Sequence, residues 1–313
     1  MSITAAIVAF NPEIPTLQNA LEAVLPQVDS VVIFDNTEDT ADALATKACL
    51  PHGIDYYWQG RNVGVAAVHN QAIAYAQAKG ADYLLFLDQD SIPEPQMVEH
   101  LRCAYEALTE KDCKVAGVGP VYQDQKTGSE SFFIEVGWLV SKRHWPSELP
   151  ESAVVPSDTL ISSGVLTAVS TFRVVGTMDE GLFVDHVDTE WFLRAAAKGF
   201  KAYGVCAAKM THSVGDRLIK VWLGRWRTAP IHPAFRMYYI FRNSMVLYRR
   251  GYTPVRWIVF DIKRLLMMLV FFGLFMGQRT RYLTMMARGI LDGWRGRTGA
   301  FEIVPEDGGL SVE

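Results

Sequence analysis

Residues 3–10 of the chain read ITAAIVAF, the first of four short apolar runs that are rich in β-branched or aromatic residues. Each run ends at polar or turn residues. Runs of this length and composition are typical of buried strands. The other three are VVIF (31–34), IDYYW (54–58) and YLLFL (83–87).

Amphipathic stretches with helical spacing separate these runs. Gly80 follows the third stretch and is a typical helix stop. The alternation of strand and helix predicts a doubly wound α/β sheet, whose ligands bind in loops beyond the carboxyl ends of the strands. The helical stretches are Ile14–Gln27, Thr40–Ala48 and Val63–Lys79, and the candidate ligand loops are Asn11–Pro12, Asp35–Asp39, Arg61–Gly64 and Asp88–Ser91.

Residues 115–250 have a mixed pattern. It comprises a glycine-punctuated strand, VAGVGPVY, a hairpin-like stretch around Phe132–Val140, and two helices, VDTEWFLRAAAKGF and HPAFRMYYIFRNSMVLYRR. The whole chain has 313 residues, of which 50% are hydrophobic and 20% charged, so a disordered or collagen-like protein is excluded. The four cysteines have no CxxC spacing, and the first residues lack the basic region of a signal peptide. We therefore expect a cytoplasmic protein.

Charge is distributed unevenly along the chain. Residues 1–215 carry 14 Lys/Arg against 27 Asp/Glu, whereas residues 216–297 carry 16 against 3. This reversal suggests a boundary near residues 215–235. The basic part also holds the most apolar segment, a combination that favours an anionic membrane surface over nucleic acid as partner.

That apolar segment is Leu265–Gly277, which with Gln278 gives 14 residues between two arginines. It is shorter than the ~20 residues that a spanning helix needs. We interpret it as an interfacial or re-entrant helix with tryptophan anchors, flanked by basic residues that favour anionic lipid. These basic residues are Arg249, Arg250, Arg256, Lys263 and Arg264. The alternatives are a buried core helix and a dimer helix, of which the second would make the protein a homo-oligomer. The candidate anchors, for each of which ordinary core packing is the alternative, are Trp222, Trp226, Trp257 and Trp294.

Chemistry is concentrated first in YLLFLDQDS (83–91), where a strand ends in two carboxylates one residue apart. Like charges this close are tolerable if a divalent cation lies between them, and oxygen ligands suit Mg²⁺ or Mn²⁺. The alternative is a solvated turn in which Asp90 caps a helix that begins near Pro93.

Three further motifs carry candidate residues. In FVDHVDTEWFLR (183–194), Asp188 is either a helix N-cap or a general base. In ISSG (161–164), small residues would allow a ligand close to the backbone. In MTHSVGD (210–216), His212 is either structural or a ligand.

Taken in order, these motifs resemble those of inverting family-2 glycosyltransferases with a GT-A-type fold. The residues that carry the resemblance are AFNP (9–12), FDN (34–36), NVGVAAVHNQAI (62–73), LDQDS (87–91), ISSG, VDTEWFLR and MTHSVGD. The set is similar to that of bacterial rhamnosyltransferases which build O-antigen or capsule-type polysaccharide.

The resemblance implies a mixed sheet with a Rossmann-like nucleotide-binding half. The implied catalytic domain is 1–230, with a nucleotide-sugar half at about 1–120 and an acceptor half at about 121–230. A helical, basic, membrane-associating region (231–300) with amphipathic helices and an acidic tail (301–313) follow it.

The resemblance also assigns roles to residues. Phe10, Asn11 and Asp35 would line the base and ribose pocket, which Asn62, Gly64 and Asn70 would shape. Asp88 would lie near the ribose or sugar, and Ser163 and Gly164 close to the transferring sugar. Asp90 and His212 would bind Mg²⁺ or Mn²⁺, and Asp188 would be the catalytic base. Relatives commonly have Glu-Asp where this chain has Val187-Asp188, so Asp185 and Glu190 remain alternatives that would share this duty.

The function implied is transfer of L-rhamnose from dTDP-L-rhamnose to a polyprenyl-diphosphate-linked saccharide acceptor at the inner face of the bacterial plasma membrane. Two alternatives stay open: a family-2 transferase that uses a UDP-sugar, and a non-catalytic nucleotide-sugar-binding membrane scaffold. A nicotinamide oxidoreductase would need GxGxxG after the first strand, where this chain has FNPEIP.

Overall fold

The computed structural model describes residues 1–138, 140–213, 217–222 and 226–301, and of residues 217–222 and 226–231 only the backbone. The strands are β1 (Ile3–Ala9), β2 (Ser30–Asp35), β3 (Asp55–Trp58), β4 (Tyr83–Asp88), β5 (Ile92–Pro93), β6 (Val115–Asp124), β7 (Phe133–Glu135), β8 (Lys142–His144), β9 (Val154–Ser157), β10 (Leu166–Ala168), β11 (Lys201–His212), β12 (Arg217–Trp222) and β13 (Trp226–Ile231). The helices are α1 (Ile14–Val24), α2 (Thr40–Ala48), α3 (Val65–Lys79), α4 (Met97–Thr109), α5 (Val169–Val175), α6 (Val187–Ala197), α7 (Ala234–Tyr248), α8 (Val255–Phe275) and α9 (Arg279–Trp294).

The main sheet has the strand order β3-β2-β1-β4-β10-β6-β11-β5, with β9 added beside β11. The first four strands in this order are parallel, and β6 is parallel to β11. Strand β10 is antiparallel to both of its neighbours, and β5 and β9 are antiparallel to β11. The predicted α/β sheet of mixed direction is therefore confirmed, including all four strands of the first half.

Helices cover both faces of this sheet because alternate residues of each central strand point to opposite sides. On β1, Ile7 packs in the apolar layer that contains Leu17 of α1 and Leu101 of α4. Its neighbour Ala6 lies in the opposite layer, which contains Ala72 of α3. The doubly wound arrangement follows from these two layers.

The two ends of α3 lie beside glycines and agree closely with the predicted stretch Val63–Lys79. Helix α3 begins directly after Gly64 and ends at Gly80, which has the left-handed conformation of a typical C-cap. The alternative interpretation, in which Asp90 caps a helix that begins near Pro93, is wrong. Residues 92–93 form β5, and α4 begins only at Met97.

The three C-terminal helices pack on one another and on the sheet domain. Gly289 and Gly293 of α9 lie against the backbone of α7; a Cβ atom at Gly293 would stand 2.4 Å from the carbonyl oxygen of Arg242. The apolar layer around α3 also includes Val246 of α7 and Trp257 of α8. Trp257 is 4% exposed, so its expected role as an interfacial anchor is wrong.

The apolar run at 265–277 lies mostly within α8, a single helix of 21 residues. Within the described part of the chain, no helix has the length and apolar character needed to cross a bilayer. Trp294 is 72% exposed. The side chains of Trp222 and Trp226, residues 214–216 of the last motif and residues 302–313 of the acidic tail lie outside the described residues.

Candidate active site

Two predicted metal ligands meet at the carboxyl edge of the sheet. Asp90 follows β4, and His212 is the last residue of β11. Imidazole Nδ1 of His212 lies 3.2 Å from Oδ1 of Asp90, and Nε2 lies 3.9 Å from Oδ2 of Asp88. One ligand atom from each of the three residues falls within 4.8 Å of the others. This donor set of two carboxylates and one imidazole fits a divalent cation such as Mn²⁺ or Mg²⁺.

The hydroxyl groups of two serines, Ser91 and Ser163, contact this cluster and hold it in place. Ser91 Oγ lies 3.0 Å from His212 Nδ1 and 2.6 Å from Ser163 Oγ. The backbone N–H of Asp88 donates to Ser163 Oγ at 3.0 Å. The resemblance placed Asp88 near the ribose or sugar; in the structure its carboxylate stands beside the two predicted ligands.

Burial raises the pKa of Asp88 to about 6, a shift that His212 opposes and Asp90 increases. A raised carboxylate pKa means that the negative charge is poorly compensated by the protein itself. A divalent cation between the carboxylates would supply the missing positive charge. The electrostatics of the cluster therefore agree with its geometry.

Asp188 lies in the first turn of α6 and faces a neighbouring cavity. One carboxylate oxygen accepts the N–H of Ser162 at 3.2 Å and the other that of Thr189 at 2.6 Å. Because α6 begins at Val187, Asp188 does not occupy the N-cap position, and that interpretation is wrong. The cavity measures about 210 Å³, and its lining includes Pro120, Tyr122, Phe132, Ile161, Ser163 and Asp188.

The ISSG turn joins the two parts of the site. Ser162 donates to Asp188, while Ser163 contacts Asp88 and Ser91. Gly164 has φ +83°, and a Cβ atom there would lie 2.5 Å from Pro120 Cγ. The base candidate and the metal cluster are thus connected through consecutive residues of one turn.

The alternative bases are engaged elsewhere. Both carboxylate oxygens of Asp185 pair with Arg236, at 2.6 and 2.8 Å. Glu190 is 1% exposed and pairs with Arg194 at 2.8 Å and with the hydroxyl of Tyr252. Of the three acids, Asp188 is the one whose carboxylate lines the cavity.

Burial raises the pKa of Asp188, opposed in part by its hydrogen bonds from Thr189 and Ser162. If Asp188 must be ionised to accept a proton, activity falls on acidification as this carboxyl group becomes protonated. We expect the acid limb of kcat, measured with saturating donor and metal, to have its midpoint above the ordinary aspartate value of about 3.9. A midpoint at or below that value would contradict the assignment.

The predicted base and ribose residues lie at the ends of β1 and β2, but Asp35 faces inward. It is fully buried and accepts the N–H of Thr37 at 2.8 Å and the Tyr56 hydroxyl at 2.6 Å. Asp35 therefore shapes the loop. Phe10 is 45% exposed, and Asn11 has φ 45° and donates its N–H to the Thr37 hydroxyl.

The residues of the third motif hold the start of α3. Asn62 Oδ1 accepts the N–H of Gly64 at 3.0 Å. Asn70 binds both backbone groups of Met178 and the carboxylate of Glu180, so it ties α3 to the loop before α6. A second cavity of about 600 Å³ lies here; Arg61, Asn62, Asn70, Gln71, Glu180 and Phe183 belong to its lining.

Replacing Gly64 by alanine is expected to destabilise the protein. Its φ is +85°, and the added Cβ atom would stand 2.8 Å from the carbonyl oxygen of Phe183. Strain at such a position costs about 1–3 kcal/mol, which should lower the unfolding temperature by several degrees. Gly80→Ala is the control, because Gly80 also has positive φ but nothing lies within 4 Å of its Cβ position. Equal decreases of the unfolding temperature in the two variants, measured by calorimetry, would show that the contact between Gly64 and Phe183 has no such role.

Sequence reasoning missed several residues that support the site. Arg236 and Asn243 lie on α7, more than 50 residues from the loop that they contact, and no local pattern marks them. The sequence indicated Tyr56 only as part of an apolar strand and did not predict its hydrogen bond to Asp35. Of these residues, Ser91 was the one that the sequence could have indicated, because it directly follows the paired carboxylates Asp88 and Asp90.

Comparison with known proteins finds one family and two curated relatives that the chain resembles. The family described as glycosyl transferase family 2 matches residues 4–150. The chain is 31% identical over 302 residues to dTDP-rhamnosyl transferase RfbF of Shigella flexneri, covering 95% of this chain and 97% of that protein. It is 25% identical over 273 residues to galactofuranosyltransferase GlfT1 of Mycolicibacterium smegmatis, covering 82% and 88%.

Two solved structures show the same fold. GalNAc-T7 with UDP, GalNAc and Mn²⁺ matches 68% of this chain and 43% of its own, with TM-score 0.53 and 16% identity. Residues 1–349 of S. aureus TarS in complex with UDP-GlcNAc match 94% of this chain and 81% of their own, with TM-score 0.52 and 12% identity. The predicted GT-A-type fold is confirmed, and the chain belongs to glycosyltransferase family 2.

Proposed function

We propose that the protein is a metal-dependent inverting glycosyltransferase that moves L-rhamnose from dTDP-L-rhamnose to a lipid-linked saccharide in bacterial surface polysaccharide synthesis. The observation that carries the reaction type is the ISSG turn, which joins the base candidate Asp188 to the cluster of Asp88, Asp90 and His212. The donor is proposed from the 31% identity with a dTDP-rhamnosyl transferase.

In this proposal, an acceptor hydroxyl enters the cavity beside Asp188 and attacks the anomeric carbon from the face opposite the nucleotide. Asp188 takes the hydroxyl proton as the new bond forms, and configuration inverts in one step. Asp90 and His212, with Asp88 beside them, would hold Mg²⁺ or Mn²⁺. The cation would neutralise charge on the departing diphosphate. Ser162 orients the base by donating its N–H to the Asp188 carboxylate.

Calorimetric titration with dTDP, UDP and GDP, each with Mn²⁺ and again with EDTA, tests the donor. The proposal predicts that dTDP binds more tightly than UDP and that EDTA weakens its binding. A preference for UDP would keep the reaction type and discard rhamnose. Absence of binding to all three nucleotides would contradict the proposed use of a nucleotide-sugar donor. A non-catalytic nucleotide-sugar-binding scaffold would bind the donor without releasing nucleotide, and such a protein has no need for a metal cluster and a base.

We also propose that the protein acts in the cytoplasm at the inner face of the plasma membrane, on a polyprenyl-diphosphate-linked acceptor. One side of α8, here called the α8 apolar face, is exposed to solvent. Arg279, Arg281 and Arg295 of the neighbouring segment are exposed as well. Apolar side chains beside arginines suit an anionic lipid surface. The face comprises Leu266, Met267, Leu269, Val270, Leu274 and Phe275, each between 39% and 69% exposed.

The arginines first expected to meet lipid are mostly engaged within the protein. Arg250 pairs with Asp179, Arg256 with Asp158 and Arg264 with Asp261. Their charges are therefore compensated in part by these acids, so they are weaker candidates for lipid contact. The exposed arginines near α9 take their place in the proposal.

Replacing Leu266 and Val270 by glutamate should abolish co-flotation with phosphatidylcholine–phosphatidylglycerol vesicles. Both side chains are more than half exposed, so the fold should tolerate the change, whereas burying two carboxylates in the interface is costly. Val174→Glu is the control, since Val174 is 56% exposed on α5. Flotation of the double variant at the wild-type level would contradict the membrane proposal.

A further inference from the structure

The six residues 181–186 directly before α6 have an unusual backbone. Phe183, Asp185 and His186 have φ values of 64°, 61° and 60°. Positive φ is uncommon for residues other than glycine, above all for a bulky side chain such as phenylalanine. A segment of this kind keeps its shape where the surrounding contacts determine it. We call it the base loop, because Asp188 follows it by two residues.

The side chain of Asn243 on α7 makes the densest contact with the base loop. Its amide Nδ2 donates towards three carbonyl oxygens, those of Leu182 at 3.0 Å, Val184 at 2.8 Å and Asp185 at 2.8 Å. Asn243 is fully buried. Its Oδ1 accepts Nε of Arg242 at 2.8 Å, which fixes the amide with its NH₂ group towards the loop.

Arg242 holds the start of the same loop. Its Nη2 donates to the carbonyl oxygens of Leu182 at 2.8 Å and Gly181 at 3.2 Å. The guanidinium lies over the rings of Tyr238 and Tyr239, 5.5 and 4.9 Å from their centroids. Because the ring stacking and the carbonyl contacts fix its plane, this buried cation presents a rigid set of donors to the loop.

Other helices complete the enclosure of the loop. The N–H of Val65, at the start of α3, donates to the carbonyl oxygen of Phe183 at 2.8 Å. Arg264 of α8 lies 2.9 Å from Nε2 of His186. Carbonyl groups and side chains of the loop are thus held by α3, α7 and α8 together, and Asn243 contributes the most contacts of any one side chain in the described part of the chain.

We propose that Asn243 is a positioning residue, which acts through the base loop to place the Asp188 carboxylate in the cavity. The inference rests on the proposed function, in which Asp188 is the base. Loss of the Asn243 contacts would let Phe183 and Asp185 relax away from positive φ and displace the start of α6. A displacement of about 1 Å at a reacting group can cost 10²-fold in rate.

The test compares Asn243→Asp, which places a carboxylate against three carbonyl oxygens, with the milder Asn243→Ser. Turnover should fall about 10- to 100-fold in each folded variant, while metal-dependent dTDP binding changes less than about twofold. If Asn243→Asp does not fold, turnover and dTDP binding of Asn243→Ser alone test the inference. The control is Arg249→Gln directly after the same helix, where the arginine donates to the carbonyl oxygen of Trp294 at 2.8 Å, away from the loop.

A second comparison separates positioning from general loss of structure. Asn243→Ser is combined with Asp188→Asn, and single-turnover rates are measured in both backgrounds. If Asn243 acts through Asp188, the serine variant lowers the rate in the wild-type background and has little further effect once Asp188 is gone. Equal losses in both backgrounds, or an unchanged rate in the first, would overturn the inference. Normal turnover of Asp188→Asn alone would instead overturn the proposed base.

Discussion

Replacing Asp188 by asparagine is expected to lower turnover at least about 100-fold while metal-dependent binding of the donor nucleotide is kept. Asparagine has nearly the same shape and still accepts a hydrogen bond from Ser162 or Thr189, but it cannot take a proton from the acceptor. The metal cluster lies on other elements, β4 and β11, so the donor site should stay intact. Steady-state kinetics and calorimetry on the same preparation measure the two effects.

Glu190→Gln is the control for this prediction, since Glu190 was the other candidate base on the same helix. It is buried against Arg194 and Tyr252, so its replacement should lower the unfolding temperature. Turnover per folded molecule should stay within a few-fold of wild type. A large loss of turnover in Glu190→Gln together with a normal rate in Asp188→Asn would identify Glu190 as the base in place of Asp188.

Replacing Asp90 by alanine should remove the dependence of donor binding on metal. The carboxylate is one of three groups that lie close enough to share a cation, and it would hold Mg²⁺ or Mn²⁺, which would neutralise charge on the diphosphate. We expect dTDP affinity in Mn²⁺ to fall at least about tenfold. The wild-type protein in EDTA should behave like the variant, and the variant itself should not respond to EDTA.

Glu94→Ala is the matched control, because Glu94 is an exposed carboxylate four residues along the chain. Its affinity for dTDP should equal that of wild type with and without EDTA. An Asp90→Ala variant that still binds dTDP more tightly in Mn²⁺ than in EDTA would place the metal on other residues.

Much of the sheet could be predicted because its central strands are buried on both faces. Such strands appear in the sequence as short unbroken apolar runs, and β1 and β4 begin where those runs begin. Strand β10 could not be predicted in this way. It has three residues and follows the ISSG turn, a length too short to carry a period of two.

The candidate site was predictable where its residues follow strands, and not where partners come from distant segments. Asp88, Asp90 and His212 stand at strand ends, which a sheet brings to one edge. Asp185 lies 51 residues from its partner Arg236 and looked equally free to act as a base.

The basic C-terminal region shows the same limitation. Sixteen basic residues against three acids predicted a charged surface, yet several arginines lie against acids of the first 200 residues. Composition reports how many charges a segment has, whereas pairing depends on the fold. The basic region therefore holds the base loop in place, in addition to forming part of the exposed surface.

The proposed reaction is tested most directly by following dTDP-L-rhamnose by NMR with the protein, Mg²⁺ and a lipid extract of bacterial membranes. We expect that dTDP is released when the extract is present, and that the sugar on the new lipid product has the anomeric configuration opposite to that of the donor. Transfer with retained configuration would contradict the single-step mechanism with Asp188 as base. A protein that binds the donor but transfers no sugar from dTDP-L-rhamnose would contradict the proposed function.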